Sequence, residues 1–597
     1  MPVWLARRLP LLALLRGGYP RQLLRGDVVA GLTTAVMLIP QAMAYASLAG
    51  MPPITGLYAS VVPIAVYALL GTSGVLAFGP VAIVALLTAS AVGPLAGGDP
   101  TTYVVLAGAL ALMVGAIQLL LGVLRLGVVV DLLSHSVISG FTSAAALVIA
   151  ASQLRALTGI EAEGGETLVA ELTGILGSVG QLHPLTLTVG LGSVLGLVLL
   201  KRFMPRFPAP LAVVGAVTLL AYLVGLDNAG VELLGQVPSG LPGPSLPAVG
   251  VAELQSLLVP AVTIALLSYM EGISVAKAIA AKTRDRVDSS QELIASGAAN
   301  LASGLFQAFP VAGGFSRTAV NYQAGARTPL ASLITAGTVA LSALLLTPLF
   351  TYMPRAVLAA IVIVAVAGLV DIAGARRAWR RDRWDFAMLV VTFAATVGLG
   401  VEIGIAVGVG ASLLLLIARI ARPHIAELGY APSIGEHRNV KRYDTLTDPR
   451  ALVVRVDAAL LFAAAPTIMR HLEHLAEQRD ERLEVMVLDA SAISDIDGDG
   501  VHVLEELERG LAARDVTLHL ATVHGPVRDA LDRAGLWERL LREGRIHESL
   551  HRALVALGLP LDRPEVVSVG DERTRALRDP AGQTTRPPLV SYRTTRE

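Results

Sequence analysis

The sequence predicts a polytopic α-helical membrane protein of about fourteen spans, arranged as two inverted halves of seven and followed by a small α/β domain. Three observations carry that fold class. The 597 residues are 54% hydrophobic and 16% charged, with a mean hydropathy of +0.64, whereas charged residues make up about a quarter of a soluble domain. Apolar stretches of spanning or near-spanning length recur through the first two thirds of the chain. Two of them are interrupted by glycine-containing pairs, Gly79-Pro80 and Gly313-Gly314.

The first stretch, residues 1–26, is Arg-rich and lacks a small-residue cleavage site, so it reads as a cytoplasmic segment lying in the membrane interface and not as a cleavable signal. Spans follow at about 27–49, 54–72, 75–93, 102–124, 127–153, 184–201 and 208–226 in the first half. The second half gives about 254–280, 290–309, 315–325, 328–350, 355–372, 384–400 and 401–421. Arg7, Arg8, Arg16, Arg21 and Arg25 precede the first span; Lys201, Arg202 and Arg206 follow the sixth, and Lys282, Arg284 and Arg286 the eighth. Arg376, Arg377, Arg380, Arg381 and Arg383 follow the twelfth. All of these fall on the N-terminal side, which the excess of Lys and Arg marks as cytoplasmic. The opposite loops agree: 155–183 carries Glu161, Glu163, Glu166 and Glu171 against Arg155, and 227–250 has neither Lys nor Arg. An even number of spans returns the C-terminus to the cytoplasm, as expected of a multi-pass protein of the inner (plasma) membrane.

Residues 423–449 turn abruptly polar and read as a linker ending the transmembrane part, 27–422. In 450–558, ALVVRVD (451–457), LEVMVLD (483–489) and VTLHLAT (516–522) read as buried strands, with helical patterns at about 465–479, 500–513 and 525–541. Alternating strands and helices predict a small α/β layer fold. The tail 559–597 has little apolar content and is expected to be disordered.

The two interruptions locate a candidate site. Gly313-Gly314 can leave regular geometry cheaply, and Phe315, Ser316, Arg317 and Thr318 then start a helix too short to cross the bilayer. Its first turn offers unpaired N–H groups and the positive end of the helix dipole, to which hydroxyls and a fixed cation are added: an anion site. Proline suits the first turn of a helix, so a second half-helix is expected to begin near Pro80 and Val81. Inverted repeats bring two such ends to one site near the midplane. In the first span Pro40 frees a carbonyl, while Gln41 and Tyr45 lie one turn apart on one face. In the eighth span Glu271 stands inside apolar sequence, where a carboxylate is costly enough to be read as functional, or else as half of an ion pair with Arg317. Asp131 and His135 invite a hydrolase or proton-relay reading, but no nucleophile elbow or second histidine accompanies them.

Composition excludes several classes. The absence of cysteine removes disulfides, thiolate metal sites and thiol catalysis. With 47 basic and 47 acidic side chains there is no global field for nucleic acid. No GxxxxGK[ST] motif is present, so ATP-driven pumping would require another subunit. No cofactor and no enzymatic activity is expected.

PQAMAYASLAGMPPITGLYAS (40–60), GTSGVLAFGPVAIVALL (71–87), VDSSQELIASGAAN (287–300), FPVAGGFSRTAVNYQAGART (309–328) and HIAELGYAPSIG (424–435) resemble the SulP anion permeases, the sulfate permease family, whose animal relatives include prestin and pendrin. VMVLDASAISDIDGDGVHVLEEL (485–507) resembles the STAS domain that closes those proteins. The resemblance implies a uracil-transporter-like fold with a core domain and a gate domain, a homodimer and elevator-like movement of the core. It places the anion on Gln41, Tyr45, Val81, Phe315, Ser316 and Arg317. Val81 departs from the aromatic residue of the motor-like members. Glu271 stands where bacterial members carry an acid associated with cation coupling; four residues on, Val275 replaces the Thr of sodium-dependent bicarbonate relatives, which favours the proton over sodium. The loop Asp497-Gly498-Asp499-Gly500 lacks the phosphorylatable serine of soluble STAS proteins.

The expected activity is therefore secondary active transport of a small inorganic oxyanion, sulfate first, in symport with protons. Bicarbonate or dicarboxylate transport, an exchanger or channel, and anion sensing on behalf of a partner of the STAS domain stay open at this point.

Overall fold

The computed structural model describes residues 9–16, 18–127, 135–161, 167–204, 208–283, 285–479 and 482–559. Asp131, the tail from 560 onward, Arg7, Arg8, Arg206, Arg284, Glu163 and Glu166 lie outside the described residues. The chain falls into two compact units, Met1–Leu413 and Leu414–Glu597.

The first unit is helical. Its elements are α1 (Pro10–Arg16), α2 (Arg21–Leu48), α3 (Pro53–Tyr58), α4 (Val62–Leu70), β1 (Phe78–Gly79), α5 (Ala82–Ala96), α6 (Pro100–Val123), α7 (His135–Thr158), α8 (Leu168–Gly177), α9 (Pro184–Phe203) and α10 (Ala209–Val224). Then come α11 (Val251–Thr283), α12 (Ser289–Leu305), β2 (Ala312–Gly313), α13 (Phe315–Gln323), α14 (Leu330–Leu345), α15 (Arg355–Val366), α16 (Ile372–Arg381), α17 (Arg383–Leu399) and α18 (Val401–Ile420). Among the described residues eight helical stretches are long and apolar enough to cross a membrane; α5, α10 and α14 are shorter apolar helices. The second expected span is broken into α3 and α4, where Pro53 and Pro63 each start a helix. Helix α2, which holds the first expected span, begins at Arg21, earlier than read from hydropathy, because the helix continues through Arg25 and Asp27 without a breaker.

Helix starts follow local chemistry. Asp99 accepts from Thr102 N at 2.8 Å at the head of α6, and Asp288 from Ser290 N at 2.9 Å at the head of α12. Both satisfy donors that a helix end leaves open. Packing separates two groups: α6 with α12, α2 with α14 and α4 with α12 form one; α7 with α17 and α15, and α9 with α15 and α10, form the other. Helix α2 touches both, through α15 and α10 on one side and α5 and α13 on the other.

The second unit is a six-stranded sheet in the order β4-β3-β5-β6-β7-β8, with β3 Ile425–Ala431, β4 Glu436–Asn439, β5 Ala451–Val456, β6 Val485–Asp489, β7 Thr517–Ala521 and β8 Ile546–His547. The three strands read from the sequence pair in parallel, and Ala465–Glu477 and Gly498–Ala512 are helices between them. Two findings differ from the sequence reading. The stretch 423–449 is not a featureless linker: β3 pairs antiparallel with β4 and with β5, extending the sheet. The helix expected over 525–541 is two, Gly525–Arg533 and Leu536–Arg542, split where Gly535 takes φ +74°.

His519 on β7 is buried against His547 on β8, with Nδ1 and Nε2 3.0 Å apart and the rings stacked at 5.3 Å. Burial, then His547 and Arg545, push its pKa down to about 4. A histidine whose folded pKa is lowered binds fewer protons folded than unfolded, so its stability contribution is complete above pH ~6.5 and is lost as pH falls toward ~4. Hydrogen exchange of Thr517–Ala521 in the full chain, once divided by the intrinsic rate at each pH, should therefore accelerate from pH 7 to pH 5 as protection is lost, and His519→Gln should remove the excess. Equal acceleration in both proteins would assign it elsewhere.

Candidate anion site

The two interrupted segments meet. Phe78 pairs with Gly313 and Gly79 with Ala312 in a two-stranded antiparallel ladder. Because the strands run in opposite directions, α5 and α13, which start within three residues of them, leave the ladder with opposed chain directions and adjacent N-termini. Gly79 takes φ +140°, a conformation L side chains rarely adopt. Gly313 allows α11 to pass: a Cβ on it would lie 2.8 Å from Gly272 Cα, next to Glu271.

Buried polar groups hold this crossing. Ala77 N donates to Thr318 Oγ1 at 3.0 Å, Gly314 N to Ala77 O at 3.0 Å and Asn321 Nδ2 to Val75 O at 2.9 Å, so the first turns of α13 are laced to the segment entering β1. Asn300 donates to Val311 O at 3.1 Å and accepts from Val311 N at 2.8 Å, fixing the entry to β2; it also donates to Gln118 Oε1 at 3.0 Å. The carboxylate of Glu292 accepts from Thr72 N, Thr72 Oγ1, Ser73 N and Tyr67 Oη, and the Tyr67 ring stacks on Phe78 of β1 at 4.5 Å. Asp27, fully buried, accepts from Thr328 Oγ1 at 2.6 Å, from Arg327 N at 2.7 Å and from Tyr19, tying the start of α2 to the chain that leaves α13. Apart from Thr318, sequence reading missed all of these. Their one signal is polarity in apolar surroundings, shared with many surface positions.

Arg317 is buried and bridges the halves: Nη1 donates to Pro80 O at 2.5 Å, while Nε and Nη2 have no partner among the described residues. A Cβ on Gly314 would sit 3.0 Å from Nη2, and one on Gly79 3.7 Å, so two glycines leave that nitrogen uncovered. Val81 is the buried N-cap residue of α5. Tyr45 is buried on α2, and Arg317 lies within electrostatic reach of both Tyr45 and Glu271 without forming an ion pair with the latter among the described residues. Glu271 keeps Oε2 unpartnered, and so does Gln41 its Oε1. Phe315 and Ser316 open α13 with exposed side chains. Thr318 is placed differently from its neighbours: its hydroxyl donates to Gly314 O at 2.6 Å and accepts from Ala77 N, so the hydroxyl is engaged by the scaffold.

A cavity of about 1430 Å³ opens between the C-terminal ends of α2, α5 and α7 and the N-terminal ends of α9 and α15. Its wall reaches Leu86, Ala89 and Ser90 on α5 and carries two paired cations, Arg155 with Glu171 at 2.7 Å and Arg355 with Glu232 at 2.6 Å.

The profile of the sulfate permease family matches residues 24–392, and that of the STAS domain residues 442–553. A probable sulfate transporter of Mycobacterium tuberculosis is 39% identical over 523 residues, 87% of this chain and 93% of that protein. The chloroplastic sulfate transporter 4.1 of Arabidopsis thaliana is 37% identical over 550 residues, 88% of this chain and 80% of its own. Among solved structures, the murine anion transporter Solute Carrier 26 family member A9 in its inward-facing state has the same fold, with a TM-score of 0.87 at 24% identity over 94% of this chain and 95% of that one. The transmembrane domain of the cyanobacterial bicarbonate transporter BicA superposes with a TM-score of 0.57 at 26% identity, over 66% of this chain and 98% of that one. With more than half of its length matched by one family, and with two half-helices meeting at a buried arginine that has two unpartnered nitrogens, this multi-pass membrane transporter, which is not an enzyme, belongs to the sulfate permease family.

Proposed function

We propose that this transporter carries sulfate by secondary active symport with protons, as a homodimer in the plasma membrane with both termini cytoplasmic. The observation that carries the anion reading is Arg317: two of its three guanidinium nitrogens are buried without a partner, beside the N-termini of α5 and α13. Buried donors are otherwise paired almost without exception, so these await an acceptor. Helix N-termini and a guanidinium fork suit an oxyanion. On this reading Gln41, Tyr45, Val81, Phe315 and Ser316 line the site, and the Thr318 hydroxyl positions the strand. Sulfate is preferred over bicarbonate because relatives 39% and 37% identical over most of this chain bear sulfate in their names. Bicarbonate is the second reading, favoured by the likeness to BicA. The two-group packing, with α2 between the groups, supports an elevator-like displacement of one group against the other. Counterflow of labelled sulfate, bicarbonate and fumarate into proteoliposomes tests the substrate: sulfate is expected to exchange fastest, and bicarbonate exchange without sulfate exchange would reverse the order.

Glu271 is the coupling group on this reading. Its Oε2 is unpartnered, and Val275, one turn on, supplies no oxygen for sodium. An anion arriving at Arg317 favours the protonated acid, and by linkage each ligand strengthens the other's binding by the same factor. Glu271→Gln should keep sulfate exchange and lose acceleration by an inward proton gradient, measured at matched internal pH in sodium-free buffer. Retained acceleration in the Gln variant, or a strict sodium requirement in the wild type, would move the coupling elsewhere.

A further inference from the structure

Between α15 and α17, α16 is too charged to enter the bilayer, and it packs along α7 and α17. At 3.6 residues per turn its sequence IAGARRAWRR falls into two arcs, with exposed Ala373 among the arginines. Arg376, Arg380, Arg377 and Arg381 occupy one arc; Gly374, Ala378, Ala375, Trp379 and Ile372 occupy the other. Gly374, Ala375 and Ala378 are half-buried, whereas Ile372 is 76% exposed and Trp379 62% exposed. Trp384, at the head of α17, is 61% exposed, and Trp379 packs edge-on against Phe386 at 4.8 Å. Two exposed tryptophans at the margin of an apolar helix mark the headgroup level of a membrane.

At that level Arg376, Arg377, Arg380, Arg381 and Arg383 stand against Asp371, Asp382 and Asp385, the last in the first turn of α17. Asp371 caps α16, accepting from Gly374 N at 2.7 Å, and stands 3.8 Å from Arg377; Asp382 caps α17, accepting from Trp384 N at 2.8 Å. Arg376, Arg380, Arg381 and Arg383 are all exposed and form no ion pair among the described residues. Four guanidiniums beside an aromatic anchor fit a phosphodiester: each can give a bidentate pair of N–H groups, while the tryptophans and Ile372 hold the adjacent acyl region.

We propose that α16 and the first turn of α17 form a binding site for the headgroup of an anionic phospholipid in the leaflet where α15 ends and α17 begins. The occupant is a membrane lipid and not free phosphate, because the apolar half of the arc, with its exposed tryptophans, demands an apolar partner contiguous with the charge. The site ties the α7/α15/α17 group to the membrane surface.

The test uses the full chain in nanodiscs of phosphatidylcholine with and without phosphatidylglycerol, followed by native mass spectrometry of the lipids retained on release. Each arginine near an anionic surface is worth roughly fivefold in affinity. Wild type should retain phosphatidylglycerol over phosphatidylcholine, and a variant carrying R376Q, R380Q, R381Q and R383Q should lose that preference by at least about tenfold. Arg21→Gln with Arg25→Gln, at the start of α2, should retain it. Should the fourfold variant fail to fold, R380Q with R381Q, both on the exposed arc, should still lower retention severalfold. Equal retention of the two lipids by wild type, unchanged retention after the substitutions, or displacement of the lipid by millimolar inorganic phosphate would each overturn the proposal.

Discussion

Glu292→Ala is expected to destabilise the folded protein by roughly 2–6 kcal/mol, among the largest effects of any single substitution in this chain. Four donors converge on this one buried carboxylate: Oε1 takes Thr72 N at 2.6 Å, Thr72 Oγ1 at 2.6 Å and Ser73 N at 3.0 Å, and Oε2 takes Tyr67 Oη at 2.6 Å. Alanine leaves all four without their acceptor, and the Tyr67 and Ser73 bonds lie fully inside, where an unpaired donor costs about 1–3 kcal/mol. The damage is placed where it matters for transport, since Tyr67 carries Phe78 of β1 on its ring face. Glu292→Gln separates charge from hydrogen bonding. Its single oxygen can keep the three bonds on the Thr72 side, and its amide can donate to a Tyr67 hydroxyl that has turned its proton away. A large drop in the unfolding midpoint for Ala and a small one for Gln, in purified protein, is the expected pattern. Equal midpoints for Ala and wild type would remove Glu292 from the scaffold.

What could be read from the sequence and what could not differ in kind. Gly79-Pro80 and Gly313-Gly314 announced the half-helices because those residue types alter the backbone whatever surrounds them, and α5 and α13 start at Ala82 and Phe315 accordingly. The pairing of β1 with β2 was not legible: two residues a side leave no periodicity to detect. The roles of neighbouring polar residues were equally hidden. Ser316 and Thr318 are two positions apart on a helix, so they face different ways, and only the packing of α13 decides that Ser316 is exposed while Thr318 binds the other half. Strands β3 and β4 escaped notice because GEHRN and HIAELGYA alternate weakly and carry charge, and their stability comes from β5 beside them. Glu271 was legible as a costly carboxylate. Its freedom from an ion pair with Arg317 needed coordinates.

Arg317→Ala is expected to weaken sulfate binding about ten- to a hundredfold, the effect of losing a charge-assisted hydrogen bond of ~1.5–3 kcal/mol. Two losses contribute, and a set of variants separates them. Alanine removes the cation and also the Nη1 bond to Pro80 O, which joins the two half-helices. Lysine restores a charge, yet its ammonium cannot both reach Pro80 O and present two further N–H groups, so it should rescue only part of the affinity. Gly314→Ala keeps the charge and the Nη1 donor that reaches Pro80 O, with the guanidinium displaced by a few tenths of an ångström. The backbone of Gly314, at φ −99° and ψ 127°, accepts a side chain without strain, but the new Cβ would stand 3.0 Å from Nη2 and 3.1 Å from Cζ, covering the nitrogen that has no partner. If Nη2 receives the anion, Gly314→Ala lowers affinity severalfold with little change in the unfolding midpoint, and Arg317→Ala lowers both. If the arginine only holds the crossing together, Gly314→Ala leaves binding untouched and Arg317→Ala acts through stability alone. Half-saturation for sulfate counterflow, measured beside thermal unfolding for the three variants, distinguishes these outcomes; unchanged half-saturation in both Arg317→Ala and Gly314→Ala would place the anion elsewhere.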